Sequence, residues 1–138
     1  MSSNSKTPPM MESCSITSMH ITTLGRPENG AEISFQSTFK GVEAANGKPW
    51  GIEVTVKLRG ADDTLYDIAA TAQAEFSFPD GTGDKEAIEY VSRQGSTRVF
   101  DFVRSYILQA TACCAYGPMT IPDIGAARGV DISINEAK

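Results

Sequence analysis

The sequence predicts an α+β domain: four antiparallel strands, then a short helix and one long helix packed on one face of the sheet. Three observations carry this reading. Apolar and polar residues alternate in period two along successive runs between Ile33 and Phe78. The apolar period changes to three and four residues after Asp84. The connections between the runs are of hairpin length, which makes a sheet antiparallel without fixing its strand order. At 138 residues the chain has room for one core. Its 41% hydrophobic and 21% charged content is that of a globular chain, not a disordered one.

Residues 1–14 are rich in Ser, Thr and Pro and are expected to form a disordered leader, with no apolar stretch for a signal peptide or an anchor. The domain is expected over residues 15–124 and a C-terminal tail over 125–138. Ile16 to Leu24 reads as the first strand, with Thr17, Met19, Ile21 and Thr23 on one side. The turn cluster Arg26-Pro27-Glu28-Asn29-Gly30 follows. Ile33, Phe35, Ser37 and Phe39 then alternate with Glu32, Ser34, Gln36, Thr38 and Lys40, as in a half-buried strand. After the loop from Gly41 to Pro49, Ile52, Val54, Val56 and Leu58 face one way and Glu53, Thr55, Lys57 and Arg59 the other. A fourth, longer strand runs from Leu65 to Phe78, and its central alanines leave space for a close-packed helix. Lys85 to Val91 has the pattern of a short amphipathic helix that stops at Gly95. A longer helix starts there, with Ser96 or Thr97 as cap and Val99, Phe102, Val103, Tyr106, Ile107, Ala110 and Cys114 as its core stripe. Gly117-Pro118 ends it, and Gly125 and Gly129 weaken any helix in the tail.

Charge and motif content narrow the function classes. The net charge of -5 (12 basic, 17 acidic) and a pI near 4.8 oppose nucleic-acid binding, which needs a concentrated basic surface. No apolar run spans a bilayer, and the three cysteines do not form an even disulfide framework; a reducing, cytoplasmic address is expected. His20 is the single histidine, lies in a strand pattern and reads as incidental. Adjacent Cys113 and Cys114 lack the spacing that turns two thiolates toward one metal ion, and they read as core thiols. Asp80-Gly81-Thr82-Gly83-Asp84 has neither the third glycine nor the lysine of a phosphate loop and reads as a turn and helix cap. Asp62 and Asp63 belong to a hairpin loop. No catalytic residue, cofactor or metal is expected.

Three segments carry a resemblance. Ala74-Glu75-Phe76-Ser77, Val99-Phe100-Asp101-Phe102-Val103-Arg104-Ser105-Tyr106-Ile107 and Tyr116-Gly117-Pro118-Met119-Thr120-Ile121-Pro122-Asp123-Ile124 are similar to motifs of the SecB-type export chaperones, and the chain resembles that family from about Ile16 to Ile124. It departs from the family at Asp101, where the pattern has proline, and at Gly125 to Gly129, where a second C-terminal helix would open. The metal-binding tail that meets the translocase motor in some members is not matched.

The resemblance implies a homo-oligomer, a dimer or a tetramer built as a dimer of dimers. Its apolar grooves would hold unfolded polypeptide without ATP. The groove would be lined by Phe35, Phe39, Trp50, Phe76, Phe78, Tyr116 and Met119, and the alternative for each is a place in the core. Trp50, in a Pro-Trp-Gly loop edge, is the strongest groove candidate. Arg104 would order the loops beside the helix. The resemblance also allows a dedicated chaperone of one partner such as an antitoxin, and a small acidic adaptor or inhibitor of one native protein is the reading from another class. A translocase motor would be a further partner of the export type.

Overall fold

The computed structural model describes residues 9–27, 32–44, 48 and 50–121. Strands β1 (Met10–Thr23), β2 (Ile33–Val42), β3 (Gly51–Gly60) and β4 (Tyr66–Ser77) form one sheet in the order β1-β4-β3-β2. Every neighbouring pair is antiparallel. Helices α1 (Asp84–Tyr90) and α2 (Ser96–Thr111) follow, and α2 lies over β3 and β4.

The strongest alternations fold as they read. On β3, Ile52, Val54, Val56 and Leu58 are buried; on β4, Tyr66, Ile68, Ala70, Ala72, Ala74 and Phe76 are buried. These side chains form the floor of the core, and α2 contributes Val99, Phe100, Val103 and Ile107 from above. The three buried alanines of β4 keep the floor low beneath the helix. The opposite face is polar: Thr55 and Thr71 share a hydrogen bond of 3.0 Å, and Gln73 donates to Glu53 at 2.8 Å.

Several expectations are corrected. The first strand begins at Met10, so residues 10–14 of the expected leader pair with the end of β4, from Met10 opposite Ser77 to Cys14 opposite Ala74. Residues 1–8 and 122–138, which hold the rest of the leader and the whole tail, lie outside the described residues. Two register shifts, between Met11 and Ser13 and between Ile16 and Ser18, break the period of β1. Met11, Cys14, Ile16, Met19 and Ile21 therefore pack against the core, whereas Thr17 and Thr23 are exposed. The connection from β1 to β2 is not a hairpin. Leu24 and Gly25 instead run beside the β3–β4 turn, with hydrogen bonds of 2.8–2.9 Å to Asp63 and Leu65, and the chain enters β2 at the far edge.

The helical region also differs. No break occurs at Gly95: α1 passes through a π-helical turn, Val91–Gly95, straight into α2. Gly95 has helical angles, φ -63° and ψ -43°, and a Cβ there would come within 3.0 Å of the Phe76 ring. The glycine serves close packing in place of termination. Ser96 does not cap; its hydroxyl donates back to the Ser92 carbonyl at 2.7 Å. The buried stripe of α2 is Val99, Phe100, Val103, Ile107 and Thr111, while Tyr106 is 41% exposed.

Candidate polypeptide-binding surface

The seven aromatic and apolar candidates divide among three places. At the end of the sheet where β4 finishes, the Phe76 amide donates to the Trp50 carbonyl at 3.0 Å, which extends the β3–β4 pairing by one residue. That bond sets Trp50 beside the end of β4. Its ring meets Phe78 at 5.0 Å and 71°, Phe78 meets Tyr90 at 5.6 Å and 86°, and Tyr90 meets Phe76 at 6.0 Å and 74°. Four rings thus form one edge-to-face run, the geometry their quadrupoles favour. Phe76 is buried; Trp50, Phe78 and Tyr90 are half-buried. The Lys48 ammonium lies 5.9 Å from the Trp50 ring centre. The indole N–H of Trp50 is enclosed and has no hydrogen-bond partner among the described residues.

A second group forms under the middle of α2. Phe35 and Phe39 each place their ring 6.2 Å from that of Phe100, Phe39 and Phe100 fully buried and Phe35 half-buried. Phe39 is a core residue in this chain, and Phe35 is the member of the pair that reaches the surface.

The third group lies where β4 begins. The Tyr116 ring lies 5.7 Å from that of Tyr66 at a tilt of 51°, and Tyr66 is fully buried. The Tyr66 hydroxyl donates to the Gly117 carbonyl at 2.9 Å and accepts from the Tyr116 amide at 2.8 Å. The Tyr116 hydroxyl donates to the Leu24 carbonyl at 3.0 Å. Burial pushes the Tyr66 phenol above its ordinary range, and the amide donated by Tyr116 opposes that shift in part. Met119 is buried, and its amide donates to Thr111 Oγ1 at 2.7 Å. Arg104 completes this clamp by donating from Nη1 to the Ile121 carbonyl at 3.0 Å and from Nε to Asp101 Oδ1 at 2.9 Å. Asp101, which departs from the motif's proline, thus orients the arginine that holds the segment after α2.

Sequence reasoning missed two members of these groups. Tyr90 reads only as part of the short amphipathic helix from Lys85 to Val91, and Phe100 falls outside the core stripe that the sequence predicts for the long helix. The four-residue spacing of Val99, Val103, Ile107 and Thr111 is the signal that places Phe100 beside them.

Among the described residues no cluster of three or more His, Cys, Asp or Glu is arranged to hold a metal ion, and no helix is long and apolar enough to cross a membrane.

No protein-family model matches the chain, and no curated protein matches it either. A solved structure does. The Mycobacterium tuberculosis Rv1957 SecB-like chaperone, in complex with a ChAD peptide from the Rv1956 HigA1 antitoxin, superimposes with a TM-score of 0.63 at 16% sequence identity, over 83% of this chain and 89% of that one. Four antiparallel strands followed by one long helix over the sheet, and a superposition spanning most of both chains, give this protein the SecB-like fold.

Proposed function

We propose that this protein is a SecB-like holdase chaperone that binds unfolded polypeptide without ATP. The observation that carries the reading is the run of rings from Trp50 through Phe78 to Tyr90, half-open at one end of the sheet. Edge-to-face rings give large, weakly directional contact area, which suits a site that accepts many apolar side chains. Phe35 and Tyr116 extend the half-buried aromatic surface, while Phe39, Phe76 and Met119 support it from inside the core. Assembly as a dimer or tetramer would cover the apolar residues on α2, where Tyr106 is 41% and Leu108 39% exposed.

Light scattering of the protein alone and with a reduced, unfolded model protein tests the proposal. A stable oligomer that captures the unfolded chain and ignores its native form is expected. A protein indifferent to unfolded chains overturns the reading.

A second reading is favoured by the peptide in the neighbouring structure, which comes from an antitoxin. On that reading the chain serves one dedicated client. Aggregation assays with unrelated proteins separate the two, because a general holdase protects all of them and a dedicated chaperone protects one.

A further inference from the structure

Three features of the ring cluster have no part in a rigid binding surface. The first is the indole N–H of Trp50, enclosed and with no acceptor among the described residues. A buried donor left unpaired is costly, so an alternative arrangement that gives it a partner is favoured. The second is the light attachment of α1. Of its seven residues only Ala87 is buried, its first turn has no side-chain cap, and its last residue, Tyr90, is the ring that lies against both Phe76 and Phe78. The third is what flanks α1. On one side is the turn before Asp84, where Gly81 has φ +89° and Gly83 has open space around it. On the other is the π-helical turn Val91–Gly95, a form that is rare within helices, frequent at functional sites and one of the few places where a helix bends sharply.

We propose that α1 is a lid on the ring cluster, hinged at the Gly81–Gly83 turn and at the Val91–Gly95 π-turn, and that its lifting draws Tyr90 off Phe78 and opens the Trp50 indole N–H to a main-chain carbonyl of the bound polypeptide. The lid is a property of this chain alone, while its part in capture rests on the holdase reading. Every peptide offers a carbonyl, so one indole donor fixes the backbone of a segment without selecting its side chains. The lid also explains how a surface that is only half-open at rest admits a whole aromatic side chain.

Hydrogen exchange of the free protein tests the lid without any client. The Trp50 indole proton and the α1 amides are expected to exchange about 100-fold faster than the amides of Val54 and Ala72, which pair in the middle of the sheet. Exchange of the indole proton only together with those amides, in global unfolding, overturns the lid.

The capture step is tested with Gly83→Pro, because the φ of -75° at Gly83 suits the proline ring and no neighbour crowds it. Trp50 is the single tryptophan, so its fluorescence reports binding of a Trp-free unfolded polypeptide. Association is expected to slow by about tenfold in the variant with the melting temperature unchanged or raised. Equal association rates overturn the entry role. Fast indole exchange with no capture by either protein overturns the holdase reading and the entry role together and leaves the lid in place.

Discussion

The two ends of the sheet are built from the same kind of side chain and are put together differently. Where β4 begins, the Tyr66 hydroxyl bonds to the Gly117 carbonyl and the Tyr116 amide, and the Tyr116 hydroxyl bonds to the Leu24 carbonyl. Where β4 ends, the side chains of Trp50, Phe78 and Tyr90 meet ring to ring, and the enclosed indole donor has no acceptor among the described residues. The lesson is that directional bonds, not aromatic content, separate an anchor from a surface left free to exchange partners. A satisfied hydroxyl specifies one arrangement, whereas ring edges tolerate several.

The largest blow to this contrast is Tyr66→Ala, which empties a fully buried aromatic site and unpairs two backbone groups. A loss of about 3–5 kcal/mol is expected in denaturant unfolding. Tyr66→Phe keeps the ring and removes only the bonds, for about 1–3 kcal/mol. At the other end, Trp50→Ala is expected to weaken capture of unfolded chains while moving the melting temperature by only a few degrees. A loss as large as that of Tyr66→Ala would make Trp50 an anchor too and erase the contrast. Arg104→Ala removes the bond to the Ile121 carbonyl and is expected to cost about 1–2 kcal/mol and to loosen residues 116–121, read by their amide exchange. Light scattering of that variant also checks whether the clamp supports assembly, since an unchanged oligomer counts against that role.

The smallest test uses pH. Because burial raises the Tyr66 phenol, its folded form favours the protonated hydroxyl. The stability this brings is present in full below the ordinary value of 10.0 and is lost as pH rises through the raised one. Burial also raises the Cys14 thiol from 9.0, partly offset by Arg98, and its contribution has the same sign. The denaturant midpoint should therefore fall with rising alkalinity, and Tyr66→Phe should flatten the part above 10.0.

Much of the fold was legible because β3 and β4 keep a strict period of two and bury one face. What escaped was set by tertiary structure. The two bulges of β1 change the phase of its apolar residues, and period counting has no means of placing an extra residue. Gly95 reads as a stop in isolation, yet it is helical, and the residue is a glycine because the Phe76 ring occupies the space a Cβ would need. The strand order follows from Leu24 and Gly25 bonding to the β3–β4 turn, a contact between segments far apart in the chain. The candidate surface was legible in residue type but not in depth. Phe35 and Phe39 stand on the same face of β2 and both lie 6.2 Å from the Phe100 ring, yet one is half-buried and the other enclosed, a difference that their shared residue type and face do not carry.

The placement of β1 has a consequence for how the molecule is made. β2, β3 and β4 pair with their neighbours in chain order, but β1 pairs with β4, from Met10 opposite Ser77 to Thr23 opposite Tyr66. β1 is therefore synthesised before the strand it pairs with, and its apolar residues Met11, Cys14, Ile16, Met19 and Ile21 have no place in the sheet until β4 has been made. The interval before β1 closes against β4 is the one in which a nascent copy of this protein exposes to its surroundings the same kind of apolar segment that the finished protein is proposed to shelter.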